Sequence, residues 1–171
     1  MADVGGHLNG GLHLRPSRDS DKLFLETLYR EVRQDLQLIV ADQEFIETLL
    51  EMQLNAQSIG YGSAYPNALY YIVEKQGERI GRVTVDFGAN EVHVIDLALI
   101  RTARNRGYGA VVLKAVQSAA TQVMAPVSLS VDPLNPGAKL FYRRLGFRFE
   151  ALVGAVERWV WHPHAPQLKT S

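Results

Sequence analysis

The pattern of apolar and polar positions predicts a buried strand that runs directly into an amphipathic helix. Residues 92–100 are almost continuously apolar, which is typical of a strand covered on both faces. After a polar and basic stretch at 104–107, apolar residues recur at helical spacing with polar residues between them. These helical positions are Tyr108, Val112, Val116, Ala119 and Val123. We therefore expect the chain to change from strand to helix across one short turn.

The rest of the chain shows the same two periodicities on either side of this unit. Further strands are predicted at residues 12–15, 69–75, 79–87, 127–131, 147–153 and 155–161. Further helices are predicted at about 19–33, from Asp42 onward, and from Pro136 to about 145. Asn135 and Gly146 have the residue types of an N-cap and a C-terminal cap for the last of these helices.

The composition bounds the class of protein without deciding its function. With 171 residues, 47% hydrophobic and 21% charged, the chain is expected to form one globular domain with a proper core. We place this domain at residues 12–161, between a flexible glycine-rich tail (1–11) and a C-terminal tail (162–171). The net charge of zero argues against a nucleic-acid coating protein, whose basic excess would be visible.

Residue types also exclude some chemistries and disfavour some locations. The absence of cysteine rules out disulfides, cysteine metal ligands and a thiol nucleophile. His162 and His164 have no acidic or thiol companion nearby, so we expect no metal site there. No apolar run approaches the ~20 residues of a transmembrane helix, and no signal-peptide core is visible. We therefore expect a cytoplasmic protein without membrane contact.

The turn between the buried strand and its helix has the composition of an anion-binding site. Its sequence at 104–109, RNRGYG, contains two glycines, and the helix that follows adds unpaired N–H groups and its dipole. A P-loop would need G-x-x-x-x-G-K-S/T, which the chain lacks. A dinucleotide fingerprint would need a third small residue where Val112 stands and an acidic residue about twenty positions later, and the chain has neither. Two interpretations of the turn remain: a phosphate site of another kind, or an ordinary connection with a solvated basic face.

Two segments together carry a resemblance to a known family. Arg104, Gly107 and Gly109, followed by Ala110, match the R-x-x-G-x-G/A signature of the GNAT acetyltransferase superfamily. Residues 135–147 fill every named position of its second signature, N-x-x-A-x-x-x-Y-x-x-x-G-F. The two signatures occur in the family's order, separated by one helix and one strand. The chain therefore resembles a GNAT protein.

The resemblance implies a fold and a co-substrate. The fold is α/β, with a mixed, mostly antiparallel sheet of six or seven strands and helices on both faces. The strand equivalent to residues 95–100 should diverge from the one at 127–131, and the pantetheine arm of acetyl-CoA should fill the gap. Backbone groups at Leu97 and Leu99 would bind that arm, and Asn135 resembles a further contact to it, although its position as N-cap also explains it. The pyrophosphate would be held by the turn residues Arg104, Asn105, Arg106, Gly107, Tyr108, Gly109 and Ala110.

The same resemblance suggests catalytic residues. Tyr142 matches a tyrosine that protonates the departing thiolate in many family members, and a phenol of pKa ~10 suits that role; the alternative is a core aromatic. His93 falls where histone-type members place a catalytic glutamate, and Asp96 interrupts an apolar face. We favour Asp96 as the base and keep a water chain and His93 open, although His93 would more often be a hydrogen-bonded core histidine. Because their spacing is odd, a regular strand would point these two residues to opposite faces.

The acceptor is less defined. Tyr61 and Tyr65 lie in a loop that covers the acceptor side in the GNAT layout, although both could pack only against the base of that loop. The resemblance implies transfer of an acetyl group to a primary amine of a small molecule or a protein. A non-catalytic acyl-CoA sensor is the alternative, which the presence of Tyr142 disfavours. Homodimers are frequent in the family.

Overall fold

An eight-stranded sheet organises the protein. The computed structural model describes residues 5–36 and 65–164, and the side chains of Asp35 and Leu36 lie outside that description. The strands are β1 (Gly6–His7), β2 (Leu12–Pro16), β3 (Leu69–Lys75), β4 (Glu78–Phe87), β5 (Val92–Leu99), β6 (Val127–Val131), β7 (Arg148–Val153) and β8 (Val156–Trp161). The helices are α1 (Lys22–Leu36), α2 (Tyr108–Gln122) and α3 (Pro136–Arg144), and short 3-10 turns occupy Asn9–Gly11, Asp19–Asp21 and Arg101–Ala103.

These bounds lie close to the predicted ones, with one addition and one segment that the structure does not describe. The additional strand is β1, which lies within the predicted tail and pairs with β2. Gly10 and Gly11 have φ of 74° and 75°, so the chain can reverse there, and the Leu8 N–H donates to the Leu12 carbonyl at 2.8 Å. The sheet therefore has eight strands where six or seven were expected. The helix predicted from Asp42 lies outside the described residues.

The sheet opens where β5 and β6 meet. Its strand order is β1-β2-β3-β4-β5-β6-β8-β7, and every neighbouring pair is antiparallel except β5 and β6. These two parallel strands are joined through α2, and they pair only where Val92–Val94 faces Val127–Leu129. Beyond Val94, β5 continues to Leu99 without a partner from β6. The predicted divergence of these strands is confirmed, and it leaves a cleft beside the second half of β5.

Helices cover both faces of the sheet. One face packs against α2 and α3 and forms the main core, whose buried members include Val83, Val85, Val92, Val94, Val112, Leu113, Val116, Val127, Leu129, Phe147 and Trp159. Leu28 of α1 and Ile72 of β3 are fully buried outside this core, and α1 contacts β4 and β5. These observations place α1 over the opposite face, where it reaches the cleft.

A buried carboxylate fixes the start of α1 to the sheet. Asp21 is fully buried and accepts two hydrogen bonds from Arg15 of β2, both at 2.8 Å. It also accepts from the backbone N–H of Arg18 at 2.8 Å and forms an ion pair with Arg79 of β4 at 2.9 Å. Mainly through the Arg15 bonds, this environment lowers the pKa of Asp21 to about 2, so the carboxylate stays ionised. In the sequence, this residue is marked only by its position near a helix start.

Candidate active site

The turn before α2 presents free backbone amides to the cleft. Asn105 and Gly107 both have positive φ, 60° and 83°, a backbone conformation that occurs in turns whose N–H groups bind anions. No side chain caps α2, and the first helical bond runs from the Val111 N–H to the Gly107 carbonyl. The amides of Tyr108, Gly109 and Ala110 precede that bond, so they lack helical acceptors. The turn therefore has unpaired amides where the sequence predicts an anion site.

The structure requires glycine at only one of the two glycine positions of the turn. A Cβ on Gly107 would meet no atom within 4 Å, so glycine is favoured there by its left-handed backbone conformation. A Cβ on Gly109 would lie 3.4 Å from Cζ of Phe141, which is an ordinary van der Waals contact, so packing against α3 does not demand glycine there. The shape of the turn therefore depends on Gly107.

Arginine side chains help to fold this turn. Arg104 Nε donates to the Leu99 carbonyl at 3.0 Å, and Arg106 Nε donates to the Thr102 carbonyl at 2.9 Å. Glu31 of α1 accepts the backbone N–H of Arg101, and its carboxylate lies 3.9 Å from Arg104 Nη2. The basic residues thus connect the turn to β5 and to α1, in addition to providing positive charge.

A cavity of about 520 Å³ lies between the turn, β5, α2 and α3. This volume is within the usual range of small-ligand sites. Eight of the residues predicted to hold the coenzyme line it, namely Leu97, Leu99, Arg104, Asn105, Gly107, Tyr108, Gly109 and Ala110. Arg106 and Asn135 do not line it; Asn135 Oδ1 accepts the Ala138 N–H at 3.0 Å and caps α3. Val32, Ala98 and Phe141 also line the cavity and were not predicted to do so, although helical spacing already placed Phe141 beside Tyr142.

Tyr142 and Asp96 meet in this cavity. Tyr142 lines its α3 side and packs beside Phe141 and Phe147, with ring centroids 5.3 and 5.9 Å away. Burial, and then the negative charge of Asp96, raise the pKa of Tyr142 above its usual 10.0. The phenol therefore stays protonated across the physiological range. Asp96 itself forms an ion pair with Arg82 of β4, whose Nε lies 2.5 Å from Oδ2.

His93 and Asp96 lie on the same face of the sheet, so the expectation that they face opposite sides is wrong. Thr84 pairs with Asp96 while Val85 pairs with Val94, so the intervening residue of β5 has no partner and forms a bulge. His93 pairs with Asp86, which lies on the same side of β4 as Thr84. The bulge cancels the odd spacing in β5, which a pattern of alternation cannot reveal.

His93 lies outside the cavity lining and belongs to a neighbouring group of polar residues. Its Nδ1 lies 2.8 Å from Oγ of Ser128 in β6, and its ring stacks on Tyr65 with centroids 5.5 Å apart and an interplanar angle of 19°. Burial is the main cause that lowers the pKa of His93 below 6.5. Of the two predicted acceptor residues, Tyr65 is thus beside a candidate base, and Tyr61 lies outside the described residues.

Within residues 5–36 and 65–164, no three His, Asp or Glu residues are grouped as a metal site would require. No helix in that part of the chain is long and apolar enough to span a membrane.

Comparisons of the sequence with known proteins point to one family. The sequence model of the acetyltransferase (GNAT) family matches residues 25–147. An uncharacterised N-acetyltransferase of Methanocaldococcus jannaschii is 29% identical over 97 residues, which are 56% of this chain and 62% of that relative. The chain thus matches less than two thirds of the length of this curated relative.

Solved structures share the fold. The PaiA N-acetyltransferase of Thermoplasma acidophilum, determined in complex with coenzyme A, superimposes with a TM-score of 0.67 at 18% identity, over 88% of this chain and 98% of that one. An acetyltransferase of Thermus thermophilus gives a TM-score of 0.65 at 18% identity, over 91% of this chain and 99% of that one. The family model matches residues 25–147, which include the residues that line the cleft. The chain therefore belongs to the acetyltransferase (GNAT) family.

Proposed function

We propose that the protein is an acetyl-CoA-dependent N-acetyltransferase that acts on a primary amine of a small molecule or a protein. The observation that carries this proposal is the phenol of Tyr142, which lines the same cavity as the anion-binding turn and is kept protonated by burial and by Asp96. A site that only bound the coenzyme would need the turn but no proton donor inside the cleft.

The coenzyme fits the cleft in one direction. Its pyrophosphate would take the free amides of Tyr108, Gly109 and Ala110, where the helix dipole favours negative charge. The pantetheine arm would then lie along β5 beyond Val94, where β5 has no strand partner from β6. This direction brings the thioester towards Asp96 and Tyr142. A backbone N–H near Leu97 would polarise the thioester carbonyl.

The chemistry balances with one proton donor and one acceptor. The acceptor ammonium first loses a proton, and the neutral amine forms an N–C bond to the thioester carbonyl carbon. The C–S bond then breaks, Tyr142 gives its proton to the thiolate, and the new amide nitrogen loses its second proton. Counted from the ammonium form of the acceptor, each acetyl transfer releases one proton to solvent. Tyr142 is reprotonated at the end of the cycle.

The structure favours His93 over Asp96 as the proton acceptor. The Asp96 carboxylate is engaged by Arg82 at 2.5 Å, and its charge already raises the pKa of Tyr142. Oδ2 of Asp96 already accepts from Arg82 Nε, so that oxygen is not free to receive a proton from the amine. His93 is neutral near pH 7 because burial lowers its pKa, and it shares a sheet face with Asp96. Asp96 would then act by keeping Tyr142 protonated.

Two measurements test this function. Thermal denaturation with acetyl-CoA, free CoA and ATP should show stabilisation by the first two only, with about 2.7 kcal/mol expected at a hundredfold excess over the dissociation constant. Release of CoA should then be followed against a panel of polyamines, aminoglycosides, amino acids and peptides with free N-termini. Binding of acetyl-CoA without turnover on any amine would favour the sensor, and absence of any thermal shift would withdraw the proposal.

Tyr142→Phe separates turnover from binding. It should lower kcat by about 100-fold or more, with the dissociation constant for acetyl-CoA little changed. Tyr29→Phe is the matched control, because Tyr29 is buried in α1 and its hydroxyl has no hydrogen-bond partner among the described residues. Equal activity of the two variants would show that Tyr142 is not the acid.

A further inference from the structure

Four polar residues form a connected group beside the catalytic cleft. We call Glu91, His93, Ser128 and Arg158 the Glu91 cluster. Arg158 of β8 holds the Glu91 carboxylate with Nη2 at 2.6 Å and Nη1 at 3.3 Å. Ser128 is fully buried, its hydroxyl helps to lower the pKa of the neighbouring Glu91, and its Oγ lies 2.8 Å from Nδ1 of His93. Three strands and the residue before β5 thus converge on one imidazole.

The number of available protons fixes the direction of these bonds. The pKa of Glu91 is lowered, chiefly by its bonds to Arg158, so its carboxylate is ionised and can only accept. Ser128 has one hydroxyl proton, and the ionised Glu91 carboxylate is a stronger acceptor than the neutral imidazole, so we assign that proton to Glu91. Ser128 Oγ is then left as an acceptor towards His93, so Nδ1 of the ring must carry a proton. A neutral imidazole has one N–H, and Nε2 is consequently unprotonated.

The charges that face His93 come from three directions. Glu91, which directly precedes β5, and Asp86 on β4 raise the pKa of His93, whereas Arg158 on β8 and above all burial lower it. Ser128 of β6 and the ring of Tyr65 are its uncharged neighbours. The outcome is a neutral ring near pH 7, held on one side by a hydrogen bond and on its face by an aromatic stack.

We propose that Ser128 and Glu91 are positioning residues that hold His93 as its Nδ1–H tautomer, with Nε2 free to take a proton from the acceptor amine. The tautomer itself does not depend on the proposed function. Only the source of the proton, the acceptor amine, rests on that function. When Nε2 takes that proton, Nδ1–H keeps its bond to Ser128, and Glu91 stabilises the new positive charge through the serine hydroxyl. The imidazolium then returns the proton to solvent, and the cluster regains its starting state.

The tautomer can be measured without any substrate. Nitrogen-15 NMR of the histidine rings in the wild-type protein at pH 7.5 should show His93 with a protonated Nδ1 and a free Nε2. His93→Gln identifies its signals among those of the five histidines. Ser128→Ala should abolish the preference for this tautomer, whereas Ser130→Ala, an exposed serine two residues along β6, should leave it unchanged. An Nε2–H ring in the wild-type protein would overturn the inference.

Kinetics then test whether the tautomer matters. Ser128→Ala should lower kcat/KM by roughly 5- to 50-fold, less than the ~100-fold or more of a complete general base, and Ser130→Ala should not lower it. Glu91→Gln should move the acid limb of the pH profile to lower pH, because loss of the negative charge makes the protonated ring less stable. Unchanged kcat/KM and acid limb in both variants would refute the positioning role. An inactive wild-type protein with the expected tautomer would instead refute the proposed function and leave the assigned ring state intact.

Discussion

The two sides of the cleft are built on different principles. The proposed coenzyme side, residues 104–110, is one contiguous turn that would act through backbone amides and the start of α2. The Glu91 cluster would act through side chains from β5, β6 and β8 and from the residue before β5. Side-chain changes should therefore be tolerated on the coenzyme side as long as the backbone conformation is kept. The cluster should show the reverse, because its function depends on which side-chain atom carries a proton.

Replacement of His93 should give the largest effect. His93→Gln should lower kcat/KM by about 100-fold or more, since it removes the group proposed to take the amine proton. The dissociation constant for acetyl-CoA, measured by calorimetry, should not change. His164→Gln is the matched control, because His164 is exposed beyond the last strand. A parallel loss of coenzyme affinity would mean that the two sides are not separable.

On the coenzyme side, the affinity for acetyl-CoA should depend on the backbone conformation at Gly107. Gly107→Val forces a β-branched residue to φ near 83°, and strain of about 1–3 kcal/mol corresponds to a roughly 5- to 150-fold weaker affinity for acetyl-CoA if binding needs this turn. Gly107→Asn should bind nearly as well as the wild type, because asparagine tolerates the left-handed region. If both variants bind acetyl-CoA equally well, the left-handed conformation at residue 107 does not decide the affinity.

Asp96 connects the two sides, and its removal should change a pH profile. Burial and the charge of Asp96 raise the pKa of Tyr142, so the acid form persists to high pH. Asp96→Asn removes that charge and leaves Arg82 without its partner, and both changes lower the pKa of Tyr142. The basic limb of kcat/KM should therefore move to lower pH than in the wild type. A basic limb that stays in place in Asp96→Asn would show that it does not report Tyr142.

The smallest effect is expected at Asn135. Asn135→Ala removes the cap of α3 and should cost about 1 kcal/mol, or roughly 2–4 °C in the thermal midpoint for a chain of this size. Asn135→Asp keeps the acceptor oxygen and should keep the midpoint. Affinity for acetyl-CoA should be the same in both variants, since Asn135 does not line the cavity. A selective loss of affinity in Asn135→Asp would restore the predicted contact to the coenzyme.

The sequence predicts the coenzyme side well because its determinants are local. Residues 104–110 are consecutive, and their glycines, the buried strand before them and the helix after them are all visible as patterns. The cap at Asn135 and the bounds of α3 follow for the same reason. Most of the strands were placed to within one or two residues, since alternation along a strand depends on nearby positions.

The cluster was not predictable, because its residues are distant in the sequence and its geometry depends on register. Nothing local connects Glu91 to Arg158, which lies 67 positions later, or His93 to Ser128. The bulge in β5 reversed the expected faces of His93 and Asp96, and it is visible only in the pairing with β4. The ion pair of Asp96 with Arg82 also depends on the pairing of β4 with β5, so the sequence did not show it. This ion pair is why His93 is now favoured over Asp96 as the base.

The short pairing of β5 with β6 also affects how the protein avoids aggregation. An unpaired strand border normally lies at the outside of a sheet, where it can recruit another chain. Here the part of β5 beyond Val94 that has no partner from β6 lies in the middle of the sheet, beside α2 and α3. A slender ligand can therefore reach the backbone of β5, whereas a second β-strand cannot easily enter the gap.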